Sequence, residues 1–134
     1  MNYRTIIIDD DKVICMLINK LLDKSKLSKA MIFNQATEAL QLLIDNDSEL
    51  NHYLIFLDIN MPVMSGWEFL DALNDKSLKS NIYVSIITSS INQTDKEKAE
   101  GYEYIFDFLI KPVKLEDIES FEQYHFLSPF HKKD

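Results

Sequence analysis

Short apolar runs alternate with amphipathic stretches from one end of the chain to the other. Residues 5–8 form a continuous β-branched run that stops at three aspartates. Residues 30–33 (AMIF), 53–57 (YLIFL), 82–87 (IYVSII) and 106–110 (FDFLI) repeat the theme. Runs this short, apolar in consecutive positions, suit strands of a parallel sheet covered on both faces. The stretches between them carry helical spacing. Val13, Leu17 and Leu21, with Ile14, Ile18 and Leu22, recur at i+4 as one broad stripe. Ala36, Ala39, Leu40, Leu43 and Ile44 mark a second helix. Trp67, Leu70 and Leu73 mark a third, opened by Ser65 as N-cap with Glu68 three residues on. In residues 94–101 (TDKEKAEG) only Ala99 is apolar, which predicts a fourth helix that is short, exposed or mobile. Leu115, Ile118 and Phe121 mark the last. The sum is a (βα)₅ chain, hence an α/β domain on a doubly wound, five-stranded parallel sheet.

The polar residues collect where the apolar runs stop. The first run ends in Asp9, Asp10 and Asp11, the third in Asp58, the fourth in Thr88 and the fifth in Lys111. In a parallel sheet all the carboxyl ends lie on one edge, so these side chains converge. Open α/β sheets bind ligands in that crevice, where the strand order reverses. For the order 2-1-3-4-5 the reversal lies between the first and third strands, the two that end in aspartate.

Converging carboxylates repel one another. At ~4 Å and an effective dielectric near 20, each like-charged pair costs about 4 kcal/mol. A shared proton, a lysine or a divalent cation can offset that. An all-oxygen donor set favours a hard ion, and two or three carboxylates completed by water suit Mg²⁺ (or Mn²⁺). Such a site fits phosphoryl transfer, in which positioning and charge neutralisation dominate. An aspartate can itself be the nucleophile. Asp58 is the natural acceptor, because Asp9 and Asp10 sit together as a metal anchor, with Lys111 and Thr88 left for phosphoryl oxygens.

Composition narrows the partners. The chain has 134 residues, 46% of them hydrophobic, and its 14 Lys+Arg against 22 Asp+Glu give −8. That balance argues against a nucleic-acid groove, which needs a basic stripe, and favours basic partners or a metal ion. The single cysteine, Cys15, excludes a disulfide framework and reads as a buried small hydrophobe. The early aspartates interrupt any signal peptide, and no run approaches the ~20 apolar residues of a membrane span. A cytoplasmic protein without membrane insertion is expected, with one domain over residues 1–127. Residues 128–134, with Pro129, Phe130 and His131, are expected to be a frayed tail, with no output domain after it.

These residues resemble the receiver domain of two-component response regulators (CheY-like, with the flavodoxin-like fold) over about residues 3–125. The motifs are I-I-I-D-D-D at 6–11, F-L-D-I-N-M-P-V-M-S-G at 56–66, I-I-T-S-S at 86–90 and F-L-I-K-P-V at 108–113. Among them D-x-x-M-P-x-x-x-G (Asp58, Met61, Pro62, Gly66) is the most specific. The resemblance implies that Asp58 is phosphorylated, with Asp9, Asp10, Asp58 and the Asn60 backbone carbonyl around Mg²⁺. It implies that Thr88 and Lys111 hold phosphoryl oxygens and that Lys111–Pro112 is a cis peptide. Thr88 and Phe108 are then the switch pair that remodels the face of helix four, strand five and helix five.

The implied protein is no multiple-turnover enzyme. It accepts phosphate from a sensor histidine kinase or a histidine phosphotransfer protein, then signals by docking to a downstream protein as a monomer or weak dimer. A phosphohydrolase of the haloacid dehalogenase type would want an aspartate where Asn60 stands. A flavin module would want a phosphate loop where the three aspartates stand. One departure from the family pattern is the segment Glu100-Gly101-Tyr102-Glu103-Tyr104-Ile105, which predicts a longer aromatic connection into strand five.

Overall fold

The computed structural model describes residues 1–133. In chain order the elements are β1 (Asn2–Ile8), α1 (Lys12–Lys24), β2 (Met31–Phe33), α2 (Ala36–Asp45), β3 (Asn51–Asp58), α3 (Gly66–Lys76), β4 (Asn81–Thr88), α4 (Gln93–Ala99), β5 (Ile105–Ile110) and α5 (Leu115–Glu119). Two short 3₁₀ turns follow, Ser120–Gln123 and His125–Phe130. The strands form one parallel sheet in the order β2-β1-β3-β4-β5, as predicted.

In the inner strands β1, β3 and β4 the consecutive apolar residues are explained by two cores, one on each face, whereas the edge strand β2 leaves Met31 and Ile32 exposed. Ile6, Ile8, Ile55 and Leu57 pack with Leu43 of α2 and Phe69 of α3. Ile7, Leu54 and Phe56 point the other way and pack with Ile18 of α1, Ile118 of α5 and Phe121. Because side chains alternate along a strand, both sets must be apolar when both faces are covered. The helix starts follow from local chemistry. Asp11 Oδ1 accepts from the N–H groups of Val13 (2.9 Å) and Ile14 (3.3 Å), and Ser65 and Glu68 form a reciprocal capping box.

Three features differ from the sequence pattern. The broad stripe of α1 is divided: Cys15, Ile18 and Leu22 are buried, whereas Val13 and Leu17 are 63% and 52% exposed. One sheet face accepts only one side of a helix, and Val13 and Leu17 lie round the cylinder from it. Helix α5 stops at Glu119, yet Phe121 remains 1% exposed inside the first 3₁₀ turn. The expected frayed end is corrected as well, up to Lys133; Asp134 lies outside the described residues. Leu127 and Phe130 are buried, His131 bridges Leu27 antiparallel, and Lys132 N–H donates to the Lys26 carbonyl at 2.7 Å. The apolar pair at i and i+3, Leu127 and Phe130, anchors this segment to the α1 face of the sheet.

The long connection before β5 resolves into two devices. Tyr102 donates to Asp71 Oδ1 at 2.6 Å and stacks on Trp67, fixing the chain against α3 after a seven-residue α4 that buries only Ala99. The extra residue is then absorbed by a bulge, since Val84 pairs with Ile105 but Ser85 pairs with Asp107. A bulge flips every later side chain to the opposite face. Phe106 accordingly packs on the α1–α5 side and Phe108 on the α2–α3 side, although they are two residues apart.

Candidate functional site

The carboxyl ends of the strands bring the predicted residues together. Asp9 closes the β1 end with no exposure, and Asp58, the last residue of β3, is 3% exposed. One carboxylate oxygen from each of Asp9, Asp10 and Asp58 lies within 4.8 Å of the others, and Asp10 is the exposed member. Lys111 follows β5, and its ammonium stands 2.8 Å from Asp9 Oδ2 and 3.4 Å from Asp58 Oδ2. Thr88, the last residue of β4, is fully buried. Its backbone carbonyl accepts from Lys111 N–H at 2.8 Å, so the ends of β4 and β5 are joined. The Lys111–Pro112 peptide is cis. Phe108 is half-buried on β5, three residues before Lys111.

Each carboxylate is held by backbone donors. Asp9 Oδ1 accepts from Asp11 N–H at 2.9 Å, and Asp58 Oδ1 accepts from Asn60 N–H at 3.0 Å. Those contacts leave the two Oδ2 atoms facing the ammonium. Thr88 Oγ1 donates to the Ser90 carbonyl at 2.9 Å, so the hydroxyl hydrogen is turned into its own loop. Gly66 sets the wall behind Asp58. A Cβ there would stand 2.7 Å from Ile59 Cα and 2.8 Å from the Asp58 carbonyl, so α3 can start this close only on glycine. Between them Val63 has φ 69°, spanned by a Met64 N–H to Pro62 carbonyl bond of 2.8 Å, a strained turn at the rim of the site.

Electrostatics follow from this burial. Burial pushes the Asp58 carboxyl up to about 6, with the Asn60 N–H opposing and Asp9 adding. For Lys111, burial alone would lower the ammonium, but the Asp9 contact and the Asp58 charge outweigh it and hold it above its ordinary value. Three carboxyl groups thus gather beside a single ammonium, which contacts two of them. The donor atoms are all oxygens on a rim that is partly open at Asp10, which fits a hard divalent cation such as Mg²⁺.

One positioning residue escaped the sequence reading. Asn34 follows β2 at the same sheet edge, and its Nδ2 donates to the Asp9 backbone carbonyl at 3.0 Å. The signal was available, because the strand-end rule applies to the second strand as much as to the others. Cys15 lies beneath the same carbonyl, with Sγ 3.3 Å away, and burial pushes its thiol up to about 11.

Known proteins agree with this geometry. The response regulator receiver domain family matches residues 5–121. The chain is 35% identical over 122 residues to the two-component response regulator ARR5 of Arabidopsis thaliana and 35% identical over 121 residues to ARR6. Those matches cover 84% of this chain but 64% and 63% of the relatives, so the chain spans less than two thirds of their length. Among solved structures it is similar to a two-component response regulator from Legionella pneumophila, at 31% identity and TM-score 0.75, covering 91% of this chain and 96% of that one. A response regulator receiver protein from Dyadobacter fermentans superposes with TM-score 0.74 at 26% identity, over 90% and 96% of the two chains. With acid pair, acid, hydroxyl and ammonium delivered by strands one, three, four and five, this chain belongs to the response regulator receiver domain family of two-component signalling.

Proposed function

We propose that the chain is a phospho-acceptor switch. Asp58 takes a phosphoryl group from a histidine kinase or a histidine phosphotransfer protein, and the phosphorylated form signals by binding another protein. The observation that carries the reading is the state of Asp58: buried, oriented by the Asn60 N–H, and faced by an ammonium that Asp9 pins in place.

Ionised above about pH 6, the Asp58 carboxylate is available as a nucleophile at neutral pH. One of its oxygens forms the new O–P bond while the donor's P–N bond breaks, and the leaving imidazole keeps the electron pair. Lys111 then exchanges part of its contact with Asp9 for a phosphoryl oxygen. Asp9, Asp10, Asp58 and the Asn60 backbone carbonyl would hold Mg²⁺ (or Mn²⁺), which neutralises charge on the transferring group. A phosphoryl oxygen is a charged acceptor, and such hydrogen bonds are roughly twice as strong as neutral ones. It therefore outcompetes the Ser90 carbonyl for the Thr88 hydroxyl. The inward movement of Thr88 opens space for Phe108, which the β5 bulge has already placed on the α2–α3 side, and the α4–β5–α5 face changes with it.

With Asn60 two residues after the acceptor, the chain lacks the second aspartate that turnover on small phosphoesters would use. Among the described residues no helix is long and apolar enough to cross a membrane; a cytoplasmic placement beside the kinase domains is part of the same proposal. Beryllofluoride, a phosphoryl mimic, tests the reading. With Mg²⁺ it is expected to shift the amide resonances of Asp58, Thr88, Ser90 and Lys111 and to change the ring environment of Phe108. Identical shifts in Asp58→Ala would refute it.

A further inference from the structure

Helix α4 is held by little of its own. Of its seven residues only Ala99 is buried, and the others are exposed apart from the half-buried Asp95. What fastens it is the connection that follows. Tyr102 donates its hydroxyl to Asp71 Oδ1 at 2.6 Å and stacks its ring on Trp67 at 5.7 Å. Lys98 of α4 stands 5.0 Å from the centre of a Trp67 ring. Trp67 and Asp71 are four residues apart on α3, so one side of that helix supplies both contacts. The tie combines a charge-assisted hydrogen bond, an aromatic stack and a cation–π contact. Burial, with the Asp71 bond and charge adding, pushes the Tyr102 hydroxyl up to about 12, so it remains a donor at neutral pH.

The two ends of the tie are fixed near the parts of the switch. Trp67 follows Gly66, whose missing side chain lets α3 start against the Asp58 and Ile59 backbone. Two residues beyond Tyr102, the Tyr104 carbonyl accepts from Val84 N–H at 2.7 Å, and β5 then begins at Ile105 and carries Phe108. The helix seated on the acceptor is thus joined to the entry of the strand that bears the switch aromatic, by a route that does not pass through Thr88.

We infer that Tyr102 and Asp71 are a brake on the switch, positioning residues that hold α4 and the α4–β5 connection in the arrangement of the unphosphorylated chain. The inference rests on the phospho-acceptor reading above. The hydroxyl bond is made in the resting arrangement and broken in the responding one. A contact made in one state only biases the equilibrium toward that state, and the ligand of the other state must then overcome the bias. The brake therefore sets how readily phosphorylation of Asp58 remodels the α4–β5–α5 face.

Three variants of the full chain separate the contacts. Tyr102→Phe removes the hydroxyl and keeps the ring on Trp67, Asp71→Ala removes the acceptor, and Asp71→Asn keeps a neutral acceptor. Amide hydrogen exchange is followed without ligand, and beryllofluoride is then titrated in excess Mg²⁺, read at the amide resonances of Thr88 and Lys111. Exchange at residues 95–104 is expected to be about fivefold faster in Tyr102→Phe and Asp71→Ala, as loss of one hydrogen bond allows. Half-saturation should come at about fivefold lower beryllofluoride in both, with Asp71→Asn between them and wild type. Tyr102→Phe/Asp71→Ala should add little to either single change, because both remove the same bond. Unchanged exchange, or a beryllofluoride half-saturation that stays put or rises while only the melting temperature falls, would overturn the brake and leave a structural contact. A wild type that gives no response to beryllofluoride would sink the phospho-acceptor reading, and the brake with it.

Discussion

The Lys111 ammonium lies 2.8 Å from Asp9 Oδ2, nearer to that carboxylate than to Asp58, from which it stands 3.4 Å. In this state the lysine neutralises the acid pair and competes with any cation for it. Lys111→Ala is therefore expected to bind Mg²⁺ at lower concentration than wild type, because one positive charge has left the cluster. Its phosphorylation should be about 100-fold slower, the usual loss when one preorganised donor is taken from a developing anion. Mg²⁺ titration followed by thermal melting, beside single-turnover phosphorylation, measures both. Weaker Mg²⁺ binding would show that the ammonium orients the carboxylates and does not compete.

Mg²⁺ is expected to raise the melting temperature of wild type by about 3 °C or more, the shift that ~1 kcal/mol gives at this chain length. Asp10→Ala should show no such gain, since Asp10 is the exposed carboxylate at the open side of the cluster. Equal gains in both proteins would remove the metal from the Asp9–Asp10–Asp58 site.

The Asp58 carboxyl, raised from 3.8 to about 6 chiefly by burial, makes a signed prediction for stability in metal-free buffer. Between those values the folded chain holds the proton more tightly than the unfolded chain. The stability contributed by neutral Asp58 is fully present below 3.8 and is lost as pH rises through 6. Asp58→Asn stays neutral throughout, so it should exceed wild type at pH 7.5 by on the order of 1 kcal/mol, and by less at pH 4.5. Urea melts of the two proteins at both values check it. A gap that widens toward low pH has the wrong sign.

The docked tail predicts a stability effect far from the aspartates. Phe130, 3% exposed, packs edge-on against both Tyr3 and Tyr83. Phe130→Ala should cost about 3 kcal/mol, as deleting a buried aromatic does. A cost below that of an ordinary surface change, measured by denaturant unfolding, would mean that the tail is free in solution.

The inner strands were legible in the sequence because both of their faces are covered, which forces uninterrupted apolar runs; β2 shows such a run too, although Met31 and Ile32 are exposed. The strand ends were less so. β1 begins at Asn2, since backbone pairing with β3 continues through Asn2, Tyr3 and Arg4, where the lone Tyr3 between two polar residues makes no continuous apolar run. The convergence of Asp9, Asp58 and Lys111 could be read because parallel topology gathers strand ends whatever their separation in sequence. What could not be read depends on contacts rather than on spacing. The bulge that turns Phe108 to the α2–α3 side is visible only in the β4–β5 register. The Thr88–Ser90 bond depends on loop path. The seating of Phe130 against Tyr3 joins the two ends of the chain, and Pro129 beside it reads locally as a terminus.

Intact-protein mass spectrometry after incubation with acetyl phosphate tests the central claim most directly. The account predicts a gain of one phosphoryl group that requires Mg²⁺ and is absent in Asp58→Ala. A phosphoryl group retained at the wild-type level in that variant, or no gain in wild type under any condition, would contradict it.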